Sequence, residues 1–297
     1  MEVARSLTAQ GDITIHYRLW RQNERRRPLI VLLHGMASNI TRWSEFMEYT
    51  SLKNDWDMLR VDLRGHGESF YRGKLSAPIW CLDLVRILDA EGYSKALLIG
   101  HSLGAQIAMQ FAHTYWQRAS GLVLIDPVLG KASRGITLWA IRLRPLIRFL
   151  IFVIRTLNRL GLRRRLIGKR DLRALDQKMR ATLLAAGKLE QMVREYSSPW
   201  PDLKHFPTAS YLEEILEMVR PLPALAEINV PVLVVLSKGV TYTDPAITRE
   251  LIAQFPRAST VVIDAYHWPL TERPVEVREA IEAWCVTIKQ GATNISN

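Results

Sequence analysis

Cys81 and Cys285 are the only cysteines in this 297-residue chain. Neither has the partner spacing of a metal or cluster site. The expectation is two free, buried thiols in a reducing compartment, with no metal. No run of about eighteen uncharged apolar residues exists, so no transmembrane helix is expected. The opening residues, Met1-Glu2-Val3-Ala4-Arg5, lack the apolar core of a secretory signal, which again suggests the cytoplasm. There is no internal repeat and no low-complexity tract, and nothing calls for a cofactor. Acids are scarce in one region. The net charge is +11, yet residues 131–173 hold thirteen Lys and Arg against a single acid, Asp171. The basic character therefore belongs to one segment, and the rest of the chain is close to neutral. No recognition motif accompanies that charge, so nucleic acid is not an expected partner.

Hydrophobic residues make up 48% of the chain, ample for a buried core. Val3 to Thr8 and Ile13 to Trp20 read as a hairpin around Gln10-Gly11-Asp12. Six short apolar runs follow: Leu29 to Leu33, Met58 to Val61, Ala96 to Ile99, Leu122 to Ile125, Val232 to Leu236 and Thr260 to Ile263. Runs apolar on both faces suit parallel strands covered by helices on either side. Helical patterns lie between them, at Ile40 to Leu52, Ala77 to Glu91, Leu103 to Tyr115, Pro245 to Phe255 and Pro274 to Gln290. The alternation predicts an α/β chain with a doubly wound, mostly parallel sheet. It breaks between Asp126 and Val230, which suggests a helical insertion. The expected units are 1–126 and 224–297 as the two parts of one core, with 127–223 as a basic helical cap.

Gly100-His101-Ser102-Leu103-Gly104 follows an apolar run and precedes a small-residue helical stretch. Strand, sharp turn and helix form the context in which G-x-S-x-G means a nucleophile elbow. A serine hydroxyl is a weak nucleophile near neutral pH, so it needs a base, a group orienting that base, and donors for the oxyanion. His267 follows the last strand directly, at the carboxyl edge of the sheet where α/β folds bind ligands. The other six histidines have weaker claims: His34 and His66 sit in glycine turns, His101 lies inside the elbow, and His16, His113 and His205 read as ordinary strand or surface residues. The oxyanion donors are expected to be the N–H groups of Leu103 and of Met36, in the His34-Gly35-Met36 loop.

Four pieces now stand in order: His34-Gly35, Asp62-Leu63-Arg64-Gly65-His66-Gly67-Glu68-Ser69, the Ser102 elbow, and His267 with Glu272-Arg273-Pro274. In these pieces, over 1–126 and 224–290, the chain resembles α/β-hydrolase-fold proteins of the serine esterase and lipase type. The resemblance implies Ser102 as nucleophile, His267 as base, and Met36 and Leu103 as oxyanion donors. A serine at the elbow argues against relatives with an aspartate nucleophile, such as haloalkane dehalogenases and epoxide hydrolases. Asp62 to Ser69 reads as a structural turn beside the site. The triad acid departs from the common pattern, which would place it at Val240. Asp126, after the preceding strand, is the first substitute, since some relatives carry their acid there. Asp244 is the alternative, although Thr243-Asp244-Pro245 also reads as a helix cap. Asp264 lies too close in sequence to His267 to turn back onto it.

Within the insertion, one helix is expected from Pro145 to Gly161, a second from Asp171 as cap to Tyr196, and a third from Ser210, boxed by Glu213. Ser197 to Pro201 reads as a breaker. The first helix is mostly apolar, with Arg148, Arg155 and Arg159 on one stripe. From Leu146 to Leu160 it would be about 22 Å long, too short and too charged to span a bilayer. Its apolar face could pack on the core, or, edged by Arg144 and the Arg163-Arg164-Arg165 cluster, lie at an anionic membrane surface. The expected activity is hydrolysis of a small-molecule ester with an apolar acyl group. Alternatives are other acyl chemistry on the same triad (lactonase, thioesterase, acyltransferase or C–C hydrolase) or a non-catalytic ligand-binding or membrane-associated protein.

Overall fold

The apolar runs form one eight-stranded sheet in a computed structural model that describes residues 1–9, 11–164, 168–239 and 242–294. The strands are β1 (Glu2–Ala9), β2 (Ile13–Trp20), β3 (Leu29–Leu33), β4 (Asp57–Val61), β5 (Ala96–His101), β6 (Ala119–Ile125), β7 (Val232–Ser237) and β8 (Ala258–Ile263). Before β6 come helices α1 (Ser44–Tyr49), α2 (Ala77–Glu91) and α3 (Leu103–Thr114). Between β6 and β7 lie α4 (Ile136–Arg142), α5 (Arg144–Arg159), α6 (Leu172–Met179), α7 (Leu189–Ser197), α8 (Pro199–His205) and α9 (Thr208–Met218). After β7 come α10 (Pro245–Ile252), α11 (Pro269–Glu272) and α12 (Pro274–Asn294). Gln10, Arg165 and Val240 lie outside the described residues.

The strand order is β1-β2-β4-β3-β5-β6-β7-β8. The β1/β2 and β2/β4 pairs are antiparallel and every other pair is parallel. Period-two alternation sorts the central side chains into two apolar layers. Leu29, Val31, Leu33 and Leu98 face α2 and α3, while Ile30, Leu32, Leu97 and Ile99 face Trp43, Phe46 and α12. Both Cys81 and Cys285 are buried free thiols, one in each layer. The chain leaves β3 in one direction to make β4, then crosses back to make β5 on its other side. The loops after β3 and β5 therefore emerge side by side, and such a switch point is where open α/β sheets form their ligand crevice.

Several sequence expectations need correction. β8 is an edge strand, so Val262 points to solvent at 62% exposure. Asp171 does cap α6, accepting from the Ala174 N–H at 3.1 Å. However, the predicted long helix passes through a π-type turn at Arg180–Leu184 and ends at Gly187, whose φ of +70° stops it. The breaker acts at Ser198, which is extended, but Pro199 then starts α8. The predicted capping box does not form. α9 begins at Thr208, and Glu213 instead accepts from the Leu75 N–H (3.0 Å) and Arg155 (2.6 Å).

The α5 helix follows its predicted span, with Pro145 in its first turn and Gly161 beyond its end. Only part of its apolar face packs inward, along α9, where Ile147, Val153 and Ile154 are half-buried. Ile151 is its one buried residue, while Leu146, Phe149, Leu150, Phe152, Leu157 and Leu160 are exposed.

The inner helices are tied to the core through buried charge. Arg42 donates to Asp176 of α6 at 2.5 Å and to Thr271 of α11 at 2.7 Å, and Tyr196 of α7 donates to Asp176 at 2.6 Å. Arg42 and Asp176 side chains are only 7% and 6% exposed. Breaking such a pair from one side strands the other charge. Asp176→Ala is expected to lower stability by about 3–5 kcal/mol in denaturant unfolding, well beyond a typical surface substitution.

Candidate active site

Ser102 follows β5 directly and precedes the first residue of α3, with φ 53° and ψ −113°. This conformation costs an L-residue about 1–3 kcal/mol, so the surroundings must impose it. They do so through two close approaches. A Cβ on Gly100 would lie 2.3 Å from the Gly104 carbonyl carbon, and one on Gly104 would lie 2.4 Å from the Leu33 oxygen. Both glycines of the motif are thus required by backbone packing. The Ser102 N–H is held by the Ile125 carbonyl at 3.0 Å.

Ser102 Oγ lies 2.9 Å from His267 Nε2, and His267 Nδ1 lies 2.5 Å from Asp126 Oδ2. With the Nδ1 proton donated to the carboxylate, Nε2 is left to accept from the serine hydroxyl. Asp126 has φ 44°, another strained position. β7 holds it there: its N–H donates to the Val235 carbonyl at 2.8 Å, and its Oδ1 accepts from the Ser237 N–H at 3.0 Å. The other predicted acids lie elsewhere. Asp244 caps α10 through the Ala246 and Ile247 N–H groups at 2.9 and 3.3 Å, and pairs with Arg134. Asp264 is 75% exposed and faces Lys238.

The His267 loop is fixed from three directions. Glu272 accepts from the N–H groups of Tyr266 (2.9 Å) and Trp268 (3.3 Å), on either side of the histidine. His101 Nε2–H donates to the His267 carbonyl at 2.8 Å. Burial, aided by the neighbouring His267, pushes the His101 pKa down to about 3, so this donor stays neutral. His34 is also held neutral, by burial and by nearby His66. It donates to the Gly35 carbonyl at 2.9 Å and accepts from the Leu63 N–H at 3.2 Å. The loop after β3 thereby runs close beside the elbow, where a Cβ on Gly35 would lie 3.4 Å from Ser102 Cβ. Among the described residues, neither the Met36 nor the Leu103 N–H is given to another acceptor.

A cavity of about 110 Å³ opens over Ser102 and His267. Met36, Ile215, Met218 and Trp268 form its apolar wall, and Ser38, Arg42, Tyr196, Tyr211 and Tyr242 its polar one. Tyr242 stands edge-on to the His267 ring, 4.7 Å between centroids. A larger cleft of about 550 Å³ lies between β2 and residues 168–171, but it does not reach Ser102. Apart from Met36, the wall residues escaped the sequence reading. Trp268 carried a signal as the neighbour of His267, but the tyrosines reach the pocket only through the folding of the insertion. Among the described residues, no cluster of side chains could hold a metal ion.

An eight-stranded, mostly parallel sheet with a serine elbow at its switch point defines the α/β-hydrolase architecture. The chain belongs to the alpha/beta hydrolase family, whose profile matches residues 30–280. It is 26% identical to esterase YbfF of Escherichia coli over 272 residues, 89% of this chain and 95% of that protein. It is 31% identical to epoxide hydrolase 4 of Homo sapiens over 118 residues, 39% of this chain and only 32% of that one. Among solved structures, a thermophilic esterase from Thermogutta terrifontis superposes with a TM-score of 0.65 at 23% identity, covering 97% of this chain and 99% of that one.

Gly104→Ala forces the first turn of α3 away from β3. It is expected to cost about 1–3 kcal/mol in thermal unfolding, as overpacking of a closed site does, whereas Gly161→Ala meets nothing within 4 Å and carries only the backbone cost of its positive φ.

Proposed function

We propose that this hydrolase-family chain cleaves carboxylic esters of apolar acyl groups through an acyl-enzyme. Ser102 attacks the carbonyl while His267 takes its proton, and the Met36 and Leu103 N–H groups receive the oxyanion. His267 then returns the proton to the leaving alcohol. Water attacks the acyl-serine, again losing a proton to His267, and the acid departs as Ser102 is restored. Asp126 orients His267 and stabilises its charged form. The observation that carries this reading is the continuous Ser102–His267–Asp126 hydrogen-bond chain, 2.9 and 2.5 Å long. The carboxylate of Asp126, within 2.5 Å of His267, supports it as the acid in place of Val240 and so weakens the case for a non-catalytic member. The apolar wall supports an acyl rather than a charged substituent, and residues 127–223 act as the cap that shapes it. A serine at position 102 favours ester chemistry over epoxide opening.

Ser102→Ala is expected to abolish both turnover of p-nitrophenyl esters and fluorophosphonate labelling. Asp126→Asn should lower kcat by about 10⁴, the loss typical of a triad without its orienting carboxylate. Asp244→Asn keeps a good helix cap and should leave kcat within about twofold. Wild-type rates in Ser102→Ala would sink the reading, and a large loss in Asp244→Asn would reassign the acid.

The α4–α5 face bears on where the substrate is met. No helix among the described residues is long and apolar enough to cross a membrane. Yet Trp139, Phe149, Phe152 and Leu160 stand 58–73% exposed, beside Arg142, Arg148, Arg159 and Arg163, which have no acidic partner among the described residues. An apolar surface edged with unneutralised arginine complements an anionic lipid surface. In the reading proposed here the chain docks peripherally through this face, and Thr137 on the inner side of α4 lines the cavity behind it. Co-sedimentation should capture the protein with phosphatidylglycerol vesicles and much less with phosphatidylcholine. A Phe149→Glu/Phe152→Glu double variant should weaken capture at least about tenfold, given ~1.5–3 kcal/mol for each buried phenyl. Equal failure to bind both vesicle types would remove the membrane from the proposal.

A further inference from the structure

The Asp62–Ser69 turn, recognisable in sequence, has no role in the chemistry above. Its histidine leads to one. His66 is fully buried, and its Nε2 meets a carboxylate oxygen of Glu214, itself fully buried on α9 of the insertion. His66 Nδ1 is 3.3 Å from the carbonyls of Leu63 and Arg64, so both ring nitrogens face acceptors. Burial opposes a charge there, but the adjacent Glu214 carboxylate outweighs it and raises the His66 pKa above its ordinary value. The second oxygen of Glu214 accepts from the Ala37 N–H at 2.9 Å.

Ala37 follows Met36 in the loop that faces Ser102, and its φ is +47°. A residue with a Cβ is strained in that region and must be held in it. Glu214 grips the peptide linking Met36 to Ala37, while Gly35 is wedged against His101 and Ser102 on the other side. The grip is itself anchored. Glu213 and Glu217, one turn of α9 apart, accept from the N–H groups of Leu75 (3.0 Å) and Ala77 (2.9 Å) at the start of α2. α9 is thus fixed to the core at two points, and Glu214 transmits that position to the loop.

We infer that Glu214, braced by His66, is a positioning residue that sets the Met36 N–H for the oxyanion. The inference rests on the hydrolase reading, with Ser102 as nucleophile and Met36 as donor. Glu214 touches neither substrate nor Ser102, so its effect must appear in the rate of forming the tetrahedral species and not in ground-state binding. Complete loss of an oxyanion donor costs about 10²–10³ in rate, and a displaced donor costs less.

The test is the second-order rate of Ser102 labelling by a fluorophosphonate, whose phosphoryl oxygen enters the oxyanion hole, alongside KM and kcat for a p-nitrophenyl ester. Glu214→Ala is expected to slow labelling and kcat by about 10- to 100-fold with KM within about threefold. Glu214→Gln keeps an acceptor for Ala37 and should recover to within about fivefold. If Glu214→Ala does not fold, Glu214→Met/His66→Leu removes the buried pair together, which proteins often tolerate. It strands only the Ala37 N–H and should show the same slow labelling. Wild type labelled at Ser102 alongside a folded Glu214→Ala or double variant labelled equally fast overturns the inference alone. So does Glu214→Gln slowed as much as Glu214→Ala. Wild type that takes no label overturns the hydrolase reading and this inference with it.

Discussion

The site depends on how closely one helix can approach one strand. The first turn of α3 lies against the end of β3 with no room for a side chain at Gly104, and the same compression leaves none at Gly100. The chain passes between these two glycines through a conformation that serine adopts only under duress. The strain is affordable because the sheet is buried on both faces and the loops after β3, β5 and β6 are pinned by its register. Relaxing that contact would separate Ser102 from His267 and the β3 loop together. Hydroxyl, imidazole and backbone donors are therefore products of a single packing constraint.

The strands and core helices were legible because their signals are local. The two-sided apolar runs marked the parallel strands, and Asp126 was readable as a candidate acid from its place at a strand end, where the structure sets it 2.5 Å from His267. Inside the insertion, legibility fell. Ser210 and Glu213 made a plausible capping box, but tertiary partners outcompeted it: Glu213 found Leu75 and Arg155 across the interface. Gly187 was readable as a helix breaker and was passed over. The outward turn of α5 could not be read at all, because an amphipathic pattern gives the width of an apolar face and not what it meets. The pocket tyrosines were hidden for the same reason, since each reaches Ser102 only through the path of the insertion.

The arginines of the insertion fall into two groups. Arg155, Arg164, Arg170 and Arg173 have partners within the fold: Glu213, the carbonyls of Leu203 and Phe206, Asp202 and Glu48. They bind the segment to itself and to the core. Arg142, Arg148, Arg159 and Arg163 have no such acids among the described residues and face outward. Composition alone merges these groups into one positive number. Geometry separates a structural charge, held by partners within the fold, from an external one that salt would screen.

Glu213, Glu214 and Glu217 each reach a backbone amide of the core, alongside their side-chain partners Arg155, His66 and Arg220. An amide N–H is present at positions 37, 75 and 77 for every residue but proline, so other drift there leaves the attachment intact, while loss of any one acid leaves a polar group stranded in the interior. The interface is robust on one side and brittle on the other. An insertion of other sequence would fit this core only if its last helix carried acids at the same pitch.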